Sequence, residues 1–396
     1  MRQPVPFFLL ILFFIVYTVP AAGQVNLRFS GYVVDLPMYQ RLPSALASLA
    51  DLDQDMAVNL TRLRLRPGLD LWEGASLSLE HEVDVLYRSQ SMLFAPTAGQ
   101  TNRQVADLRW QLLEEDHVSL QHYVDRLYFR QNLSWGNIIA GRQRIQWGSG
   151  RIWNPTDLFN PINPASFDKI EKDGADAVSA KVYLGTFTDI QAVVNFRRAR
   201  GHRGDDDVPD STNAGVRFRT NYSEFDIAVM GGYFDRRVTI GGDFAGNLFG
   251  AGVRGEAVYA GDQEHRLNSA YLRLIIGADY QFTPELYGLI EYLYNGEGHT
   301  DPGKYELLRL FRGEILNLGT KYLYLGGSYR VHPLVVANIG LMGNPGDGSG
   351  FLSLVAGWSS SENSTVSAGL LLPYGGENDE FWYYPASLYL KGELYF

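Results

Sequence analysis

A chain of 396 residues with no cysteine and a formal charge of −10 excludes several classes at once. The acidic balance argues against a nucleic-acid partner, and the missing cysteines rule out a disulfide framework. Beyond Gly23 no apolar run approaches the roughly 20 residues that a membrane helix needs.

The first residues read as an export signal. Arg2 supplies the positive start, 7–19 is an apolar stretch, and Val19-Pro20-Ala21-Ala22-Gly23 supplies small residues for cleavage. We expect a signal peptide over 1–23 and a single mature domain over 24–396. From Gln24 onward segments of about ten alternating residues are separated by alternately short and long polar connections, which is the pattern of strands in a closed barrel crossing lipid. The 24 Tyr, 21 Phe and 7 Trp suit interfacial aromatic girdles. An exported chain without disulfides must be held by its own hydrogen bonds, and a closed barrel pairs every backbone group.

The first strand is expected over 25–34, with a short helix over 42–52 in the loop that follows. Next comes the clearest hairpin. Val58, Leu60, Leu63 and Leu65 are apolar, Arg62, Arg64 and Arg66 share one parity, Pro67-Gly68 sits near the strand's end, and Trp72-Glu73-Gly74 makes the turn. The return strand puts Leu77, Leu79, Val83, Val85 and Tyr87 on one face and Glu80, Glu82 and Asp84 on the other, with His81 among the apolar set. A turn near Gly74 sets Arg66 opposite Glu80, Arg64 opposite Glu82 and Arg62 opposite Asp84. Such opposite-charge cross-strand pairs contribute roughly 0.2–1 kcal/mol each. An arginine facing lipid costs about 2–4 kcal/mol at the midplane, so both ladders should point inward.

Residues 104–131 read as two strands or as one interrupted strand, with Arg126 and Arg130 on one parity. The stretch Gly141-Arg142-Gln143-Arg144-Ile145-Gln146-Trp147-Gly148-Ser149-Gly150 follows. Its alternation predicts Ile139, Ile145 and Trp147 outside and Arg142 and Arg144 inside. It then breaks into a proline-studded run that includes Trp153, Asn154, Pro155, Asp157, Phe159, Pro161 and Pro164. Fixed φ angles make this loop stiff; it either narrows the interior or caps the mouth. Further strands are expected at 175–183, 188–197, 213–220, 225–233, 237–244, 251–259, 267–281, 286–294, 318–330, 334–343, 351–358, 365–372 and 386–396. The last ends on Phe396, in the style of strands delivered to outer-membrane assembly machinery. The fold class is thus an all-β, transmembrane, antiparallel up-and-down barrel of about 18 strands, with 16 as the alternative.

These features make the chain resemble outer-membrane porin-type barrels. More narrowly, Gly141-Arg142-Gln143, Trp147-Gly148, Asn154-Pro155-Thr156-Asp157 and the terminal Phe396 are similar in style to alginate-export-type porins. The resemblance implies class and compartment, and leaves the cargo open.

The candidate pore-lining residues are Arg62, Arg64, Arg66, Glu80, Glu82, Asp84, Arg126, Arg130, Arg142, Arg144, Arg217 and Arg219. Either they set a transverse field for charged solutes, or they are salt-bridged ladders that stiffen the wall. Trp153, Asn154, Pro155, Asp157 and Phe159 are the candidate constriction or cap residues, with Asp168 and Glu171 near the entrance. Asp205-Asp206-Asp207 with Asp210 matches no EF-hand spacing, so it reads as a solvated loop and no metal site is expected. His81, His117, His122, His202, His265, His299 and His332 form no evident nucleophile–base pairing, and no cofactor motif appears; an enzyme is not expected. The expected partners are outer-membrane lipid and lipopolysaccharide, the barrel assembly machinery through the C-terminal strand, small hydrophilic solutes, and other copies in a homo-oligomer. The expected activity is passive diffusion of small hydrophilic solutes. The alternative is a non-channel barrel that exports or assembles exopolysaccharide or envelope components.

Overall fold

The structure, a computed structural model, describes residues 25–90, 103–160, 171–197, 211–261, 270–307, 310, 315 and 317–396. The expected signal peptide at 1–23, Pro161, Pro164, Asp168, His202, His265 and the acidic run at 205–210 lie outside the described residues.

Twenty-one hydrogen-bonded segments form one antiparallel sheet. Three of them are short pieces, Asn26–Arg28, Gly68–Trp72 and Arg109–Glu114. The remaining eighteen are wall strands. They are β1 (Gly31–Arg41), β2 (Asp55–Leu65), β3 (Ala75–Arg88), β4 (Val118–Leu133), β5 (Gly136–Gln143), β6 (Ala175–Tyr183), β7 (Asp189–Arg197), β8 (Ser211–Tyr222) and β9 (Phe225–Phe234). They continue with β10 (Arg237–Leu248), β11 (Ala251–Ala260), β12 (Tyr271–Gln281), β13 (Leu286–Asn295), β14 (Lys321–His332), β15 (Val335–Asn344), β16 (Ser349–Ser361), β17 (Ser364–Tyr374) and β18 (Ala386–Tyr395). Each pairs with the next, and β18 pairs back onto β1, with Tyr32 opposite Tyr395 and Arg41 opposite Ala386. The sheet is a closed barrel of eighteen strands, and closure leaves no wall strand with a free edge.

Side chains are distributed inside out relative to a water-soluble sheet. Val216, Ile240, Ile276, Ile339 and Leu390 are each at least half exposed on the outside, whereas Arg62, Arg64, Glu82 and Asp84 are at most 4% exposed on the inside. Several strands run past their expected limits at either end, as β10 does to Leu248 beside a tight turn, because backbone pairing continues beyond the residues that mark the pattern. β1 runs on to Arg41 rather than stopping near 34. Helix α1 (Ser44–Ala50) forms within the expected short-helix segment. Its Leu46 and Ala47 pack with Leu42 against Trp382 and Tyr383.

The ambiguous stretch near 104–131 contains two extended segments, of which only β4 is a full wall strand. Arg109–Glu114 lies along one half of β4, with Arg109 opposite Tyr123. β5 lies along the other half, with Leu127 opposite Arg142. The split arises because β5 stops at Gln143, leaving the loop-end half of that edge of β4 to be paired by another segment. A bulge at Asp125 shifts the register, so that Glu80 faces Arg126 while the next residue, His81, faces Val124.

One end of the barrel carries tight turns such as Glu73-Gly74, Phe249-Gly250 and Glu362-Asn363. The other end carries the long connections together with two short ones, the four-residue turn 345–348 and the two-residue turn Asp235-Arg236. Both of its φ angles are positive, 51° and 65°, as a hairpin turn matched to strand twist requires.

Candidate functional site: a loop held across the barrel interior

The organising feature is the segment that leaves β5 at Gln143. The strand does not continue to Trp147 as the alternation suggested. Ile145 is 2% exposed and Trp147 is fully buried, so both face inward, opposite to the expected parity. The correction has a physical cause. Gly141 has φ +120°, and a side chain there would collide with the Leu127 carbonyl. Only glycine accepts this local break, and beyond Gln143 the chain turns off the wall.

Inside, Trp147 stacks edge-on against Phe159 at 5.0 Å between centroids, and Phe159 meets Phe234 likewise at 5.0 Å. The Trp147 indole N–H donates to Gln191 Oε1 at 3.0 Å. This core includes Ile145, Val193, Met230 and Val258. The loop then crosses to strands six and eight positions further round an eighteen-strand wall, a third to almost half of the circumference away. There two inward carboxylates hold it by its backbone. Glu256 of β11 accepts from the N–H groups of Ser149 (2.6 Å), Gly150 (2.6 Å) and Thr156 (3.0 Å), and from the Thr156 hydroxyl (2.7 Å). Glu291 of β13 accepts from the N–H groups of Arg151 (2.9 Å), Ile152 (3.0 Å) and Trp153 (2.8 Å). Gly148, with φ +94°, sits so close that a Cβ would lie 2.7 Å from Glu256 Oε1. The glycines therefore let the backbone wrap each carboxylate as an anion-binding concavity. Trp153 packs on Tyr322 at 6.0 Å, in a cluster with Ile275, Leu293, Met342 and Phe381.

The loop's own acid, Asp157, is 1% exposed. It accepts from the Asn160 N–H (3.2 Å) and from Lys172 Nζ (2.5 Å). Burial pushes its carboxyl above the ordinary value, which the Lys172 ammonium partly offsets. Asn154 and Pro155 sit within the same tethered segment, Pro155 buried. Among the described residues of the loop, Arg144 and Arg151 are the exposed cations, and the Arg144 guanidinium bonds only to Gln146 Oε1, at 2.9 Å.

The arginine ladders have the expected register, with Arg62 opposite Asp84 and Arg64 opposite Glu82. Arg62 Nε lies 2.9 Å from both Asp84 and Glu82. Arg64 binds Glu82 (2.8 Å), Glu80 (2.6 Å) and Asp125. Arg66 reaches Glu80 (3.6 Å) and Glu171, and Arg126 reaches Glu171 at 3.1 Å. The Tyr123 hydroxyl donates to Glu82. The Arg62 and Arg64 side chains are 5% and 3% exposed, so they form a neutralised wall; Arg66, at 30%, is the ladder arginine with most access to the interior.

Arg142 departs furthest from expectation. Its register partner Asp176 shares a parity with the outward-facing Val178. The guanidinium fills the seam where β5 ends, donating to Asp176 (2.7 Å), the Val124 carbonyl (2.9 Å) and the Ala106 carbonyl (2.5 Å). Its bond to Val124 satisfies a β4 carbonyl on the edge that a longer β5 would have covered. Arg217 pairs with Asp243 at 2.9 Å and Arg219 with Asp189 at 2.5 Å, the latter arginine 45% exposed. Arg130 lies near Tyr128 beside a recess of about 520 Å³ at the tight-turn end, also lined by Arg28, Asp70, Ser76 and Ser78.

Two connections at the loop end carry unusual carboxyls. Burial pushes Glu380 up to about 7, although Leu318 N–H, Tyr322 hydroxyl and Asn344 amide all donate to it. Asp235 has a side chain 41% exposed, and the guanidiniums of Arg103 and Arg197 outweigh its desolvation at the turn and hold it at about 2. Sequence reasoning missed Glu256, Glu291, Asp125 and Glu380. The one available signal was a lone carboxylate at an inward position of an otherwise apolar strand, as in Leu289-Ile290-Glu291-Tyr292-Leu293.

No known family matches the chain by sequence, and no curated protein does. Among solved structures the fold is similar to Pseudomonas aeruginosa OccD3 (OpdP), with TM-score 0.54 and 11% identity over 95% of this chain and 93% of that one. It is also similar to Acinetobacter baumannii OccAB4, with TM-score 0.56 and 8% identity over 95% and 99%. A variant of Rhodopseudomonas blastica porin aligns over 94% of this chain and all of its own, with 11% identity and TM-score 0.47. At these identities the likeness shows the fold.

Proposed function

We propose that the protein is an outer-membrane channel through which small hydrophilic solutes diffuse passively. The observation that carries this is the inward loop. A barrel with an apolar exterior has one segment tethered across its interior by Glu256 and Glu291, a device that sets the width of a water-filled path rather than sealing one. The exposed Arg144 and Arg151 lie on that segment, and they bias the path toward anions. The protein has no catalytic role in this reading. It is exported through a cleaved signal at 1–23 and delivered to the assembly machinery through β18. It then sits among lipid and lipopolysaccharide, its tight turns on the periplasmic side. The likeness to alginate-export-type porins extends the same reading to the Gly141-Arg142-Gln143 and Asn154-Pro155 motifs. Planar-bilayer recording of the refolded protein tests it. Stepwise conductance with an anion-biased reversal potential in a salt gradient is the expected result. A folded protein that gives no conductance steps overturns it.

A further inference from the structure

The outer wall is not uniform. At outward positions of β7–β18 the residues are Val, Leu, Ile, Ala, Gly and aromatics, with Thr212, Thr220, Lys321, His332, Ser360 and Ser364 only toward strand ends, and no Asp, Glu, Asn or Gln occurs there among the described residues. On β1–β4 the pattern changes. Asp35 lies opposite Gly392 of β18, whose outward neighbours Leu390 and Leu394 are each more than half exposed. Asp35 therefore points away from the barrel. It is mid-strand, between Phe29, which stacks on Phe396 at the tight-turn end, and the exposed Tyr39 toward the loop end. Its carboxylate accepts from the Thr61 hydroxyl at 2.7 Å and the Asn59 amide at 3.1 Å, both on the outer face of β2. Both bonds go to Asp35 Oδ1, so the second oxygen of this exposed residue has acceptor capacity to spare, whereas Asn59 Oδ1, though without a partner among the described residues, is itself buried.

Two strands along, the outward His81 lies 2.9 Å from the outward His122, Nε2 to Nδ1. Trp110 stacks on His122 at 4.9 Å. Two neutral imidazoles carry two N–H groups and their mutual bond uses one, so the pair keeps one N–H in reserve. A carboxylate, a carboxamide, a hydroxyl and two imidazoles thus share one sector at mid-height. Lipid offers them no partners there, and polar groups at such depth normally face protein.

We propose that the outward face of β1–β4 is an interface with a second copy of this chain, with the Asp35–Asn59–Thr61 cluster of one copy meeting the His81–His122 pair of the other. Complementarity carries the choice of partner. One half of the sector offers acceptors that have spare capacity, the other half offers an imidazole donor, and both halves are on the same chain. Copies inserted in one membrane share their orientation along its normal, so they associate about an axis parallel to it. Such an axis brings adjacent halves of the same sector together, in a two-fold pair or a closed ring.

The chain has no native cysteine, so Thr61→Cys introduces a unique thiol into the sector and Ile240→Cys a control on the exposed outer face of β10. Outer membranes carrying either variant are treated with a short bismaleimide. We expect Thr61→Cys to give at least tenfold more of a product at twice the chain mass, containing only this chain, and Asp35→Leu in that background to reduce it severalfold. Native mass spectrometry of the unsubstituted protein in mild detergent should show the matching oligomer whether or not the variants insert well. Equal cross-linking at the two positions, a product containing a different protein, or a monomer carrying only lipopolysaccharide each overturns the proposal.

Discussion

Glu291 is the most direct handle on the loop. It is fully buried and accepts three consecutive backbone N–H groups at 2.8–3.0 Å. Truncation in Glu291→Ala leaves three inward donors without their acceptor. An unsatisfied buried donor costs about 1–3 kcal/mol, while water entering the space and the relieved desolvation of the carboxylate offset part of the sum. A net loss of about 3 kcal/mol in loop anchoring corresponds to roughly a 100-fold shift toward a released loop. Glu291→Gln retains one acceptor oxygen and should fall between. Released, the segment 144–160 no longer spans the interior. Single-channel recording should then show larger conductance and greater open-channel noise in Glu291→Ala, and the same trend in Glu256→Ala. Wild-type conductance and noise in both variants, with each verified as folded, would refute the view that these carboxylates hold a constricting loop.

The arginines divide by environment. Neutralising Arg144 and Arg151 together should move the reversal potential toward cations, whereas Arg142→Gln, at a buried seam, should lower stability and leave selectivity nearly unchanged; a selectivity change from Arg142→Gln alone would reverse that assignment. Arg64→Ala leaves Glu80, Glu82 and Asp125 facing one another and should cost about 3–5 kcal/mol in denaturant unfolding. Trp147→Ala should cost about 3–5 kcal/mol through the cavity left beside Phe159 and Phe234, a loss read by the same unfolding measurement. Glu380 holds its proton to about pH 7 when folded, compared with 4.5 as its ordinary value. The native state binds more protons between those values, so the connections it joins should weaken as pH rises through that window and stay weak above it. Hydrogen exchange of 317–322 and 376–384 at pH 5 and pH 8 measures this, and Glu380→Gln should remove the difference.

The strand pattern was legible because two faces in two solvents impose a period of two on almost every segment. The ladder register followed from a single turn position: once Glu73-Gly74 closes the hairpin, Arg62 and Arg64 fall opposite Asp84 and Glu82, whereas the added contacts to Asp125 and Glu171 come from elements further along the chain. The same reasoning failed at 139–147. There alternation continues past the point where the backbone stops pairing, because Ile145 and Trp147 keep an apolar period while facing an apolar cluster inside the barrel. Hydrophobicity marks burial, and in a barrel both lipid and an inward loop can supply it.

By itself the sequence determined what is periodic or local: a closed up-and-down barrel of about eighteen strands, the turn at Gly74 and the charge ladders. Each rests on neighbours in one strand or across one hairpin. Only the tertiary structure decided what the stretch after Gln143 does. Its course depends on Glu256 and Glu291, more than a hundred residues away, and on glycines that let backbone amides close around them. Carboxylates that bind backbone N–H groups leave no complementary residue type to pair with, so the chain marks them only as lone inward acids and does not name what they hold.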